Sequence, residues 1–163
     1  MKITVIGNGG TAIDRQGGSY VNQHTGRFLL DLAQSGIEVC FIQTIVPFCE
    51  NSSLSDFRLP AEKVKSLTIA RVPLTALLRS VPSALWSILK ADFVYIFYPG
   101  TLPRAVARLC KSVRKPYGLY LRGGQFSTDG PAGAVFGGAT FITTVSGSLS
   151  EPIRPINGRI VPI

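Results

Sequence analysis

Gly17-Gly18, followed by Ser19-Tyr20-Val21, is the segment of this sequence with the clearest chemical use. Two residues without side chains just before a helix leave the first N–H groups of that helix uncovered, so an anionic or hydroxyl-rich ligand can approach its positive end. Ser19 fits the cap of such a helix; a plain flexible turn is the alternative. Asp14, shortly before, is an acid that could orient a hydroxyl group. An earlier pattern, Gly7, Gly9 and Ala12, matches G-x-G-x-x-A directly after an apolar run, the arrangement that seats a dinucleotide pyrophosphate. Yet Thr11 to Gly18 is polar where the helix should open, and the next apolar run ends in Gln43 where a ribose-binding acid is wanted. A small dinucleotide-binding protein is therefore kept only as an alternative.

Further along, Arg122-Gly123-Gly124 closes an apolar run. The guanidinium of Arg122 suits a phosphate or other anion, or an ordinary surface ion pair. Asp129 is a second acid in a loop of this kind. Ser146 follows the run Phe141 to Val145 and is a natural helix N-cap, without the neighbouring histidine and acid that would make it a nucleophile. His24, the single histidine, falls one turn inside the first expected helix and reads as packing rather than as a base. Cys40, Cys49 and Cys110 are odd in number and lack CxxC spacing. The expectation is reduced thiols, no metal site and a cytoplasmic protein.

Charge is concentrated in the middle of the chain. The net charge is +8; Met1 to Phe57 carries three basic and five acidic residues, Arg58 to Arg122 twelve and two, and the remainder two of each. Within that block Arg104, Arg108, Lys111 and Lys115 recur at helical spacing, opposite Val106, Leu109, Cys110 and Val113, as a basic stripe. It is either a solvated face or a surface for anionic lipid head groups. Nucleic acid fits the charge but no reading motif accompanies it. The apolar stretch Val72 to Leu89 is interrupted by Pro73, Arg79 and Pro82 and falls short of a membrane span. No signal peptide is expected at the amino end, because the run Ile3 to Ile6 is too short.

The elements that must hold these residues alternate. Lys2 to Ile6 reads as a buried strand closed by Gly7, and Val21, Phe28, Leu29, Leu32 and Ala33 give a helical face ended by Gly36. Glu38 to Gln43 and Ser66 to Val72 read as further strands. Leu74, Leu77, Leu78 and Val81 make a helix that restarts at Ser80 and Pro82. Phe93 to Tyr98 is apolar on both parities, as a strand covered on both faces must be. A helix follows from Pro103 to about Val113, then strands at Tyr117 to Leu121, Thr140 to Val145 and Arg159 to Ile163. This alternation predicts an α/β fold with a doubly wound, mostly parallel sheet, as a single domain over residues 1–163 of suitable size and 45% hydrophobic content. Ligands bind such sheets at the carboxyl ends of the strands, where Asn8 to Gly18, Pro99 to Leu102, Arg122 to Gly138 and the segment from Ser146 lie.

The opening strand, the Gly17-Gly18 pair, the helix ending Gln34-Ser35-Gly36-Ile37-Glu38-Val39, the strand Asp92 to Tyr98 with Pro99-Gly100, Lys115-Pro116-Tyr117-Gly118-Leu119-Tyr120-Leu121-Arg122-Gly123, and Phe141-Ile142-Thr143-Thr144-Val145-Ser146 stand in an order that resembles one family. It is the N-terminal, acceptor-side domain of GT-B glycosyltransferases, in particular the retaining nucleotide-sugar group of the family 4 type. The resemblance implies a Rossmann-like fold and the transfer of a sugar from a nucleotide-sugar donor, without a further cofactor, to a lipid-linked or polysaccharide acceptor. It places Gly17, Gly18 and Ser19 beside the donor phosphates and transferred sugar, and Arg122, Gly123 and Ser146 around the same cleft. No catalytic base is demanded, since such enzymes are thought to use a donor phosphate oxygen; Asp14 and Asp129 are the weaker candidates for orienting an acceptor hydroxyl. It further implies a C-terminal donor-binding domain that residues 1–163 lack, so these residues alone are expected not to transfer sugar. A non-catalytic, membrane-recruiting subunit of a two-chain transferase, peripheral on the cytoplasmic membrane, is the alternative. The family has a helix between Arg122 and Thr140, where Gly123, Gly124, Gly130, Gly133, Gly137 and Gly138 here predict a shortened loop or a single turn around Gly133 to Phe136.

Overall fold

In a computed structural model that describes residues 1–49, 56–69, 74–123, 128 and 130–162, the opening apolar run forms β1 (Lys2–Ile13). It does not stop at Gly7. The strand continues through Gly7, Gly9 and Gly10, and its pairing with β3 (Glu38–Val46) shifts register between Ile6 and Gly10. These glycines make room for the neighbouring strand: a Cβ on Gly7 would lie 2.7 Å from Gln43 Cδ and 2.9 Å from Phe41 Cζ. The G-x-G-x-x-A pattern is thus an irregular stretch of strand rather than a turn into a helix. No helix N-terminus stands there for a pyrophosphate.

The residues fall into two compact units, Met1–Asp92 and Phe93–Ile163. In the first, β1 is followed by a tight turn, the short β2 (Ser19–Val21) and α1 (Gln23–Gln34). Asn22 is the N-cap of α1, its side chain accepting from Thr25 N at 2.9 Å. Gly36, at φ +79°, ends the helix as its position in the sequence predicts. After β3 come β4 (Phe57–Arg58), β5 (Val64–Ile69) and α2 (Leu74–Lys90). The strand order is β4-β2-β1-β3-β5, with β1, β3 and β5 parallel and β2 antiparallel to both β1 and β4. Helix α2 runs through Pro82 without restarting. Proline removes one backbone donor from such a helix, and here its ring is exposed rather than pressed into the core. Thr4 Oγ1 donates to the Ser87 carbonyl at 3.1 Å, tying α2 to β1.

The second unit is a run of parallel strands in chain order, β6 (Phe93–Tyr98), β7 (Tyr117–Leu121), β8 (Phe141–Thr144) and β9 (Ile160–Pro162). The connections carry α3 (Thr101–Ser112), α4 (Gly130–Gly138) and α5 (Gly147–Ser150). Val94, Ile96, Tyr98, Leu119, Leu121 and Ile142 share one sheet face and are buried, with Tyr98 packed edge-on against Phe136 of α4 at 5.3 Å between ring centroids. The other face carries a ladder of rings: Phe93 stacks on Phe141 at 5.5 Å, and the Tyr95 hydroxyl lies 2.7 Å from Thr143 Oγ1.

A nine-residue helix, α4, stands where the glycine crowding predicts a loop or single turn. Tertiary packing overrides propensity here. Val135 and Phe136 are fully buried, and the Tyr117 hydroxyl donates to the Val135 carbonyl at 2.6 Å. The fold class itself is the one expected from the alternation of elements: α/β, with mostly parallel strands.

Candidate functional site

The Gly17-Gly18 pair sits at the tip of a hairpin between β1 and β2, well before α1. Asp14 builds that turn. Its Oδ1 accepts from Gln16 N at 2.9 Å and from Gly18 N at 2.7 Å, while Gly17 N donates to the Asp14 carbonyl at 3.1 Å and Asp14 N to the Gly18 carbonyl at 3.0 Å. Gly17 takes φ +82°, a left-handed conformation that a side chain would strain. Two expectations are corrected by this geometry. The amides of Gly17 and Gly18 are spent on Asp14 instead of facing a ligand from a helix start, and Ser19 is the first residue of β2, the cap being Asn22. An Asp followed three residues later by Gly is itself a turn signal, and Asn22 is the better cap in the sequence; together they would have moved the helix start.

Asp14 therefore has a structural task. The Gly18 N–H above all, helped by the Gln16 N–H, the Tyr20 hydroxyl and the Arg58 charge and opposed by partial burial, holds its carboxyl below the ordinary value of 3.8. A depressed folded pKa means a stabilising contribution that is complete above the unfolded value and disappears as pH falls through the folded one. Asp14→Asn, which keeps the oxygen acceptor but not the charge, is expected to be less stable than the parent at pH 7. The gap should narrow near pH 3. Urea midpoints at the two pH values measure this, and an equal gap at both would remove the charge from the account.

A cavity of about 770 Å³ opens beside the turn, lined by Gly17, Gly18 and Ser19 on one side and by Arg58, Leu59, Lys65 and Ser66 on the other. A second, of about 720 Å³, is lined by Asp14, Gln16, Tyr20 and Phe48 among others, with the rings of the last two 4.9 Å apart. Arg58, Lys65 and Ser66 have no place among the sequence-derived candidates. Nothing in their local spacing brings them to the glycines; the pairing of Tyr20 with Arg58 does so for Arg58, and Lys65 and Ser66 are held by the pairing of β5 with β3.

In the second unit, Arg122 and Gly123 follow the carboxyl end of β7, and Ser146 follows that of β8, on adjacent parallel strands joined there by Val145 N to the Leu121 carbonyl at 3.3 Å. Arg122 is exposed, its guanidinium 5.8 Å from the Tyr120 ring, a cation–π contact, and it makes no ion pair among the described residues. Gly123 has φ +126°. Ser146 precedes α5 but its side chain makes no cap; its Oγ lies 3.0 Å from Ser148 Oγ. Thr144, one strand position from this edge, is fully buried and its hydroxyl has no partner among the described residues. Asp129 lies outside the described residues. His24 is exposed on the first turn of α1, not packed.

Arg104, Arg108 and Lys111 are exposed along α3, whose buried side is Pro103, Val106, Ala107 and Cys110. Lys115 does not belong to the stripe. The helix ends at Ser112, Arg114 turns into the left-handed region at φ 54°, and Lys115 N closes the end by donating to the Cys110 carbonyl at 2.8 Å. On α2, Val81, Leu85, Trp86 and Leu89 are exposed, Trp86 by 63%, with Lys90 Nζ 4.9 Å from the Trp86 ring centroid.

Among the described residues no group of three His, Cys, Asp or Glu side chains could hold a metal, and no helix is long and apolar enough to cross a membrane. Cys40 and Cys110 are buried and Cys49 is exposed; burial pushes the Cys110 thiol up to about 11 and also raises that of Cys40. Thiolate is the reactive form, so a disulfide reagent at neutral pH should modify one thiol quickly in the folded protein and all three in denaturant. A second fast thiol would contradict the burial.

No family model matches the sequence, and no curated protein matches it significantly. In fold the chain is similar to the crystal structure of a Listeria monocytogenes protein whose assigned name is UDP-N-acetylglucosamine 2-epimerase, with a TM-score of 0.55 and 11% identity. The likeness covers 98% of this chain and 44% of that one, so the chain spans less than half the length of that neighbour. At this identity the likeness shows the fold alone: a Rossmann-like α/β arrangement with mostly parallel strands.

Proposed function

We propose that this chain is the acceptor-side domain of a GT-B glycosyltransferase that moves a sugar from a nucleotide-sugar to a lipid-linked or polysaccharide acceptor. One observation carries most of the reading: nearly the whole chain shares its fold with less than half of a protein named for chemistry on a nucleotide-sugar. The hairpin at the end of β1, and Arg122, Gly123 and Ser146 beyond the ends of β7 and β8, lie in the class of position where open parallel sheets take ligands. In this reading a second, donor-binding domain supplies the residues for the nucleotide and its phosphates. The test is to express the whole reading frame, or this chain with a separately encoded donor domain, and measure nucleoside diphosphate release from a panel of UDP- and GDP-sugars. Release by the whole enzyme and none by residues 1–163 is expected. A frame and gene neighbourhood with no donor-type domain would sink the proposal.

A membrane-recruiting role, within the transferase or as a separate subunit, is favoured by the exposed Arg104, Arg108 and Lys111 on α3 and by Trp86 on α2. Each basic residue near an anionic surface contributes about 1 kcal/mol, so reversing all three to Glu should lower binding to anionic vesicles by about a hundredfold or more. Binding should also fall as salt rises. Co-sedimentation with phosphatidylserine-containing and phosphatidylcholine-only vesicles reads this out, and equal binding to both would end the idea.

A further inference from the structure

We infer that the cavity beside the Gly17-Gly18 hairpin binds a sugar carrying an acidic group, a carboxylate or a phosphate. Three polar residues, Arg58, Lys65 and Ser66, contribute to its lining. Among the described residues neither the Arg58 guanidinium nor the Lys65 ammonium has a hydrogen bond or ion pair, and Ser66 Oγ is buried with no hydrogen-bond partner. A buried hydroxyl in that state ordinarily has a water or a ligand beside it. Arg58 reaches across the hairpin because Gly18 has no side chain: a Cβ there would lie 3.2 Å from Arg58 Nε and 2.7 Å from Asp14 Oδ2. Asp14 steers this cation, yet its Oδ1 is committed to the turn amides, and Asp14 is not among the residues lining the cavity.

Around the cavity two cations face one acid, Glu62. Leu59, Pro60, Ala61 and Val64 add apolar atoms to a mixed lining, Pro60 and Ala61 being the more accessible of the four. A mixed lining with two cations suits a sugar, which offers hydroxyls and a C–H face to the wall and its acidic group to Arg58 or Lys65. The volume, about 770 Å³, is within the range of organic-ligand pockets and far beyond what an inorganic anion fills. Naming the occupant as the acceptor of a sugar transfer rests on the transferase reading; binding itself does not.

The experiment is an amide NMR titration of the chain with glucuronic acid, glucose 6-phosphate, glucose and inorganic phosphate. Glucuronic acid or glucose 6-phosphate should shift the amides of residues 16–19 and 58–66 saturably, and the tighter of the two identifies carboxylate or phosphate as the acid. Glucose and inorganic phosphate, each lacking half of the recognition, should bind at least about tenfold more weakly, as should the acidic sugar to Arg58→Ala and to Lys65→Ala. Unchanged spectra away from the cavity establish that the variants fold. Shifts that map elsewhere, affinity indifferent to both substitutions, equal affinity for all four probes or no saturable shift would each overturn the proposal. Such a failure would leave nucleotide-sugar turnover by the whole enzyme intact, so the two readings fall separately.

Discussion

Asn157→Ala is expected to destabilise the protein by about 3 kcal/mol, because it removes hydrogen bonds from three backbone groups at once. Asn157 is buried in the segment leading into β9, with 8% of its surface exposed. Its Nδ2 donates to the carbonyls of Phe136 and Ala139, both at 2.9 Å, and its Oδ1 accepts from Arg159 N at 2.9 Å. The last carbonyls of a helix have no intrahelical donor; at the end of α4 the Val135 carbonyl accepts from the Tyr117 hydroxyl and that of Phe136 from Ala139 N and Asn157, while Asn157 also serves the Ala139 carbonyl just beyond. Alanine removes the donor and opens a small void without giving water a clear route to the carbonyls. Asn157→Asp should fare no better at neutral pH, since it sets a carboxylate oxygen against two carbonyl oxygens, and it should recover in part on acidification as the carboxyl protonates. Urea unfolding at pH 7 and pH 4 tests both variants: a lowered midpoint at unchanged slope is expected. A loss below about 1 kcal/mol for the alanine variant would mean that the carbonyls find other donors.

The same asparagine illustrates what a linear reading can reach. Asn157-Gly158 announces a turn, and a turn it is, but which carbonyls its side chain serves depends on a helix that the glycines around Gly133 argue against. Strands β6 and β7 were legible because their residues are apolar on both parities or nearly so, a pattern that only a covered strand tolerates. Helix α1 ended at Gly36 for the usual reason, a left-handed residue after the last turn. Gly7 misled because glycine reads as a break, whereas here it marks the place where Gln43 and Phe41 of the adjacent strand cross β1. Pro82 misled in the same way, through a local rule that α2 absorbs on its exposed side. As for the candidate site, Gly17, Gly18 and Asp14 could be picked out as residues but not in their roles. A three-residue return strand, β2, is too short to leave a periodic signal, and it decides whether the glycines cap a helix or turn a hairpin. Arg58 reaches the glycines through the pairing of that strand with β4, whereas Lys65 and Ser66 are placed by the pairing of β5 with β3, so no spacing in the sequence pointed to them.

Opposite signs are expected for two glycine substitutions one helical turn apart in α4, Gly133→Val and Gly137→Ala. Gly133 is buried, and a Cβ there would run into the Thr128 carbonyl oxygen, a backbone atom that cannot rotate away. Valine adds two methyl groups to that overlap, so the helix start or the Thr128 backbone must move, at an expected cost of about 3 kcal/mol. Gly137 is exposed, and a Cβ would come no nearer than 3.5 Å to Ile156 Cγ2, ordinary contact. Alanine there restricts the unfolded chain and favours the helix, for an expected gain of about 0.5–1 kcal/mol. Chemical denaturation of the two variants and the parent measures both. Were α4 only a loop with a helical turn, as the glycine content taken by itself suggests, the Gly137 substitution would bring no gain and the Gly133 substitution little loss. The pair therefore reads out whether packing of Val135 and Phe136 holds a helix that its own sequence disfavours, and with it the partner surface on which Tyr117 and Asn157 depend.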